Sequence, residues 1–399
     1  MRQVKLLVFM CAVLIAGMAF TGFECSSTEL TSAKLYIQQK NLPKAIEALQ
    51  KEVEKNPKSD EGYYLLGYVH GEKEQIPEMI AAFDKSLAIS KKFEKQISDQ
   101  RRFHWANYFN KGVGLYNKGA NAQNQDTAKI YYERSINTFN SAIMLQPDSS
   151  DSYKNLAYVY LSAQRYDEAI QPLEKLISLK KVPEGYRFLG EILYNKGVNG
   201  MAKYNSSKVA ADSVAAMENY NKAVTVLEDG RKNFPNDADI LLLLSNSYIG
   251  ANKISVAIDA FKAGVEKDPK NKFYRYNYGV LLLGANQFEG AVDQFTKALE
   301  VDPEYQNAIY NLAVSYVKWG VLISKEIDDK KLDPNSAEYK EKAAQVKAKF
   351  NSAIPHMEKV VKMKADDAAM WDLLGKIYAN VGQNDKAEAA YKKADSLRK

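Results

Sequence analysis

Residues 238–271 read ADILLLLSNSYIGANKISVAIDAFKAGVEKDPKN, and residues 272–305 read KFYRYNYGVLLLGANQFEGAVDQFTKALEVDPEY. The two lines are one unit written twice. Leu241, Leu244, Ser245, Tyr248, Ala257, Phe261, Gly264 and Pro269 of the first answer to Arg275, Tyr278, Gly279, Leu282, Ala291, Phe295, Ala298 and Pro303 of the second, each pair 34 residues apart. A period of tens of residues marks a repeat architecture and has to be read before any local structure. Within each unit, positions 4, 7, 8 and 11 fall on one stripe of a helix, which makes a first helix with one apolar face. The small residue at position 8 lets a second helix approach, Ala at position 20 does the same from the other side, and Pro at position 32 stops that second helix.

The last unit carries the fullest version of the pattern, with Trp371-x-x-Leu374-Gly375-x-x-Tyr378 followed by Ala387-x-x-x-Tyr391. These residues and their spacing resemble the tetratricopeptide repeat, a helix–turn–helix unit of the same length. The resemblance implies an all-α fold, a right-handed α-solenoid whose first helices line a concave groove. About nine units cover the chain, near residues 26–59, 60–93, 105–149, 150–182, 183–237, 238–271, 272–305, 306–367 and 368–399. Between the second and third, Phe93 to Phe103 breaks the period by one extra helical stretch. Three units carry insertions, at Gly119 to Asp126, Gly197 to about Ser213, and about Gly320 to Lys347. All three fall between the first and second helix, so they emerge on one edge. Tyr131, Tyr132 and the run Ala210 to Met217 read as helical, which predicts extended helices joined by short turns.

Residues 1–24 read as a signal peptide: Arg2 and Lys5 precede an apolar run from Leu6 to Phe20, too short to span a bilayer comfortably. Two processing routes stay open. Gly17-Met18-Ala19 offers small residues for ordinary cleavage, while Cys25, followed by Ser26-Ser27-Thr28, resembles the lipidated cysteine of a bacterial lipoprotein. Glu24 departs from the small residue that pattern places before the cysteine. An uncleaved anchor is the third route. The repeat solenoid then occupies residues 25–399, as an exported, periplasmic or outer-membrane-anchored protein tied to the membrane through Cys25 if that residue is acylated.

Composition narrows the function classes. Net charge is +6 over 399 residues, with acids and bases interspersed, so the clustered basic face of a nucleic-acid binder is missing. The two cysteines, Cys11 and Cys25, both lie in the leader, which leaves no disulfide framework. His70, His104 and His356 fall in three different units, without zinc-site spacing. His70 stands where other units have Tyr or Leu and is expected to be a packed core residue. Gly112-x-Gly114 lies within a helix, out of context for a phosphate loop. No catalytic residue, metal or cofactor is expected.

The concave groove supplies the candidate site. Positions 2, 6, 9 and 13 of a first helix point away from the second helix at about 100° per residue. Position 6 is Asn in four units, Asn110, Asn155, Asn277 and Asn311, and an aromatic precedes three of them: Phe109, Tyr276 and Tyr310. An amide both donates and accepts, so a row of them can hold a peptide backbone in either direction. Lys154, Asn155, Asn110, Tyr276, Asn277, Tyr310 and Asn311 form the expected protein-binding surface, with both amides of the adjacent pair Asn277 and Asn311 exposed. The reading is a non-catalytic scaffold of the bacterial cell envelope that binds an extended peptide or partner protein. The alternative is an enzyme or enzyme subunit on the same helical scaffold, since fold alone does not exclude catalysis. A cytoplasmic chaperone adaptor is the third reading; only Lys154 with Asn155 resembles its basic clamp.

Overall fold

A computed structural model describes residues 27–398, and every regular element among them is an α-helix. The chain divides into two compact units, one ending at Gln164 and the other beginning at Arg165. The first holds α1 (Thr28–Gln38), α2 (Leu42–Lys55), α3 (Asp60–Glu72), α4 (Ile76–Ile89), α5 (Glu94–Ala120), α6 (Gln125–Leu145) and α7 (Ser150–Ser162). The second holds α8 (Tyr166–Leu179), α9 (Pro183–Ser207), α10 (Ala210–Asn233), α11 (Ala238–Gly250), α12 (Ile254–Lys267), α13 (Lys272–Gly284), α14 (Phe288–Val301), α15 (Gln306–Asp329), α16 (Ala337–Met363), α17 (Ala368–Asn380) and α18 (Asn384–Leu397).

Local chemistry sets each boundary. Most first helices begin on a side-chain cap: Ser59 accepts from the Gly62 N–H, Asp237 from Ile240, Asn271 from Phe273 and Tyr274, and Asp367 from Ala369 and Met370, whereas α5, α9 and α15 start without one. In the six pairs without an insertion, the turn to the second helix uses one left-handed residue at the same place. These are Lys40, Glu74, Gln164, Asn252, Asn286 and Gly382, with φ of 56°, 57°, 59°, 54°, 58° and 82°. Second helices stop where Pro forces the preceding residue out of the helical region. Gln146, Asp268 and Asp302, just before Pro147, Pro269 and Pro303, have φ of −136°, −132° and −139°.

The contact that decides the pairing is the one the period predicts. Phe83, Phe139, Phe261 and Phe295, at one position of four second helices, are wholly buried. Opposite three of them stand Gly67, Gly112 and Gly279; a Cβ on Gly279 would lie 2.7 Å from Phe295 Cε1. The fourth, α12, follows a first helix with Ser245 in place of the glycine, and α11 packs mainly on α9, α10 and α13 rather than on α12. Successive pairs are also tied by a repeated hydrogen bond. Tyr248 Oη donates to Glu228 at 2.8 Å, and Tyr378 Oη to Glu358 at 2.6 Å, each across the same sequence interval of 20 residues.

The three insertions are extensions of both helices. The hairpins α5–α6, α9–α10 and α15–α16 have helices of 21 to 27 residues, against 11 to 14 elsewhere. Their arms stay in contact beyond the repeat: Gly197 packs on Tyr220, Gly200 on Ala216 and Gly320 on Phe350, and Lys342 pairs with Glu326 at 2.6 Å. The period break is the extra helical stretch expected, joined to the first helix of the third pair. Phe93 to Phe103 leads into α5, one continuous helix, because Phe93 stacks on Tyr64 at 4.5 Å and Ile97 is buried. The first half of α5 thus covers the second pair, and its second half opens the third. Within α5, Gly114 is exposed, with nothing within 4 Å of its would-be Cβ. No described helix is long and apolar enough to cross a membrane.

The first-helix face as candidate functional site

First helices are buried on more sides than a single stripe implies. Beyond the face toward the second helix, Ile240, Tyr274 and Ala308 at position 3 are buried, as are Val69, Val159, Ile192, Leu281 and Ile377 at position 10. In the second unit the first helices also pack on one another, α9 on α11 and α11 on α13. What remains for a partner is a narrow face at positions 2, 6, 9 and 13.

On that face the predicted residues separate. In the first unit Asn110 is exposed, and Asn155 is half-buried with its Nδ2 donating to the Asp151 carbonyl at 2.8 Å. Lys154 lies 3.8 Å from Asp151, a loose ion pair within one helical turn. In the second unit Tyr310 and Asn311 are half-buried, and Asn311 Nδ2 donates to Tyr276 Oη at 2.9 Å.

Asn277 and Tyr276 overturn the expectation of exposure. Asn277 is 1% exposed and Tyr276 5%. The Asn277 amide is committed internally on both sides: Nδ2 donates to the Phe273 carbonyl at 2.8 Å, and Oδ1 accepts from Ser245 Oγ at 3.0 Å. The close approach of α11 to α13 causes this, since Ser245 faces Asn277 across that contact. Tyr276 packs on Phe295 and Tyr305, and burial pushes its hydroxyl up to about 12. A continuous ladder through Asn277 therefore does not exist. The accessible members are Asn110 and Asn155 in the first unit, and Tyr310 and Asn311 in the second, where Leu243, Val280 and Val314 at equivalent or neighbouring helix positions are half-buried. Cys25 and the leader lie outside the described residues.

The histidines have structural roles. His70, expected in the core, is half-buried, and its Nδ1 meets Gln75 Oε1 at 2.9 Å across the α3–α4 turn. The core histidine is His104, 6% exposed, in contact with Gly71 and Phe103 and with no hydrogen-bond partner at Nε2. Burial holds its pKa below the ordinary histidine value, with Glu74 acting weakly the other way. The unfolded chain therefore takes up this proton first as pH falls. The stability contribution is complete above about pH 6.5 and is lost as pH drops through that value toward the folded pKa. Replacing His104 with Phe is expected to flatten the fall in thermal midpoint between pH 7 and pH 5; an unchanged slope would show that this histidine is not the acid-sensitive group. Among the described residues no three His, Cys, Asp or Glu side chains cluster to hold a metal.

Models of the tetratricopeptide repeat match residues 138–171, 209–272, 274–305 and 368–399. No curated protein matches the sequence. Among solved structures, MamA is 19% identical, with 51% of this chain and 92% of that one covered at a TM-score of 0.33. YrrB, described as a TPR protein with an unusual peptide-binding site, is 16% identical, with 67% and 98% covered at 0.32. The C-terminal part of a TPR repeat-containing protein from Cytophaga hutchinsonii is 17% identical, with 72% and 95% covered at 0.41. Helix pairs, their spacing and these repeat matches define a helical repeat protein of the interaction-module class. The chain carries tetratricopeptide repeats at the matched residues.

Proposed function

We propose that the chain is a non-catalytic scaffold of the bacterial cell envelope that holds an extended peptide or a partner protein against its first helices. The observation that carries this reading is the set of accessible amides and aromatics on that face: Asn110 and Asn155 in one unit, Tyr310 and Asn311 in the other. An extended segment presents a peptide N–H and C=O at every residue, and side-chain amides match both. In the second unit the half-buried Leu243, Val280 and Val314 add apolar contact for its side chains. Export rests on Arg2, Lys5 and the apolar run after them, and lipidation at Cys25 would set the scaffold on a membrane surface.

Two measurements test the reading. Labelled fatty acid should enter the wild-type chain and not Cys25→Ser; equal labelling, or none in either, removes the lipid anchor. Asn155→Ala with Asn311→Ala should weaken capture of a partner identified by affinity purification from the native host, with little change in thermal midpoint. Undiminished capture of that partner rejects the first-helix face.

A further inference from the structure

The longest extension, α15–α16, runs past the turn of the pair before it and leaves an open cleft of about 370 Å³. Its floor is the turn Asn286-Gln287 with Phe288, Glu289 and Gly290, and its wall is Trp319 and Leu322 of α15. Phe288 is nearly buried at the base, whereas Leu322 is 40% exposed and its neighbour Val321 54%. The cleft has room for a large apolar side chain.

The charges around the cleft are unbalanced. Lys349 of α16 sits with Nζ 3.1 Å from the centre of the Trp319 ring. It has no ion-pair partner among the described residues, and burial lowers its pKa, with Glu289 acting weakly the other way. Lys318 and Lys325 lie four residues before and three after Leu322, on the same side of α15; both are exposed, and neither is ion-paired among the described residues. The nearby acids are largely taken: Glu326 by Lys342 at 2.6 Å and Asp293 by Lys297 at 2.7 Å. On the rim Glu289 opposes these ammonium groups, and Asp328 and Asp329 follow Lys325 by three and four residues on α15. A partly desolvated cation held on an aromatic face, with no anion of its own, is a group that gains from an incoming carboxylate.

We infer that this cleft is a docking site for an acidic peptide segment, which seats one aromatic or leucine side chain between Phe288, Trp319 and Leu322 and lays flanking carboxylates on Lys318, Lys325 and Lys349. The inference rests on the scaffold reading and names a second contact point, separate from the first-helix amides, together with the chemistry of what it takes. Of the residues named, Leu322 and Lys325 lie in the third insertion, while Trp319 and Lys349 flank it.

The test is fluorescence anisotropy with a labelled nine-residue probe of Asp and Glu around one central Phe. Three controls are the same peptide with Gly at the centre, its Lys and Arg counterpart, and oligo-deoxythymidine. The acidic Phe probe should bind the full chain about tenfold more tightly than any control, a ratio typical of one buried anchor residue. Leu322→Asp and Lys349→Gln should each lose most of that binding, while Asn155→Ala with Asn311→Ala leaves it intact. Leu322 is solvent-exposed, so the first variant should keep its helicity, and the second keeps a polar side chain of similar size. Equal binding by the basic peptide or the oligonucleotide, or full binding by Leu322→Asp, overturns this site. Failure here alongside capture of a partner by the first-helix face would leave the scaffold reading standing and remove only the cleft.

Discussion

Gly279→Leu should destabilise the second unit by about 1–3 kcal/mol or more, through overpacking of a site that has no room. The first added carbon would already meet Phe295 at 2.7 Å, and Phe295 itself is wholly buried. The complementary change, Phe295→Ala, should cost about 3–5 kcal/mol by opening a cavity. In a stack of repeats each pair is stabilised mainly by its neighbours, so the damage should stay local. Hydrogen exchange should show lost protection in α13 and α14 and their immediate neighbours, with α17 and α18 little changed. A cost below about 1 kcal/mol for either variant would mean that the glycine–aromatic contact does not set the pairing.

Asn277→Ala should cost about 1–3 kcal/mol, because it removes a buried amide whose two sides are both bonded. Ser245 loses the acceptor at 3.0 Å and keeps only its bond to the Leu242 carbonyl at 2.9 Å. A double-mutant cycle with Ser245→Ala should therefore be non-additive, as expected for groups in direct contact. Asn311→Ala, at the equivalent position of the next pair, should change stability much less, since that amide is half-buried and has one partner, Tyr276 Oη. Equal costs for the two amides would contradict the distinction between them.

These two positions show what the sequence could and could not disclose. Gly279 and Phe295 were legible because their contact lies inside one repeat, where spacing alone brings the side chains together. The helix pairs, the Pro stops and the extended arms follow from the same short-range logic. The burial of Asn277 was not legible. It depends on how closely α11 approaches α13, and helical periodicity within one helix carries no information about a neighbour of that kind. The second buried side of the first helices escaped for the same reason, although the apolar residues at position 10, Val69, Val159, Ile192, Leu281 and Ile377, were a usable signal. The Tyr–Glu ties of Tyr248 with Glu228 and Tyr378 with Glu358 left a trace as well, an acid 20 residues before the tyrosine in both cases. The cleft beside Trp319 left none, because the length of an insertion decides which of its residues stands next to the preceding turn.

The central claim is that partners contact the accessible residues of the first helices while Asn277 and Tyr276 serve the fold. Photocrosslinking in the native host tests it most directly, with a benzophenone amino acid at position 310 in one strain and at position 276 in another. The account predicts that position 310 yields defined adducts whose partner peptides are identified by mass spectrometry, and that these adducts disappear when Asn155 and Asn311 are both changed to Ala. Position 276, buried against Phe295 and Tyr305, should yield crosslinks only within the chain. Partner adducts at position 276, or none at position 310 while the partner is still captured, would contradict it.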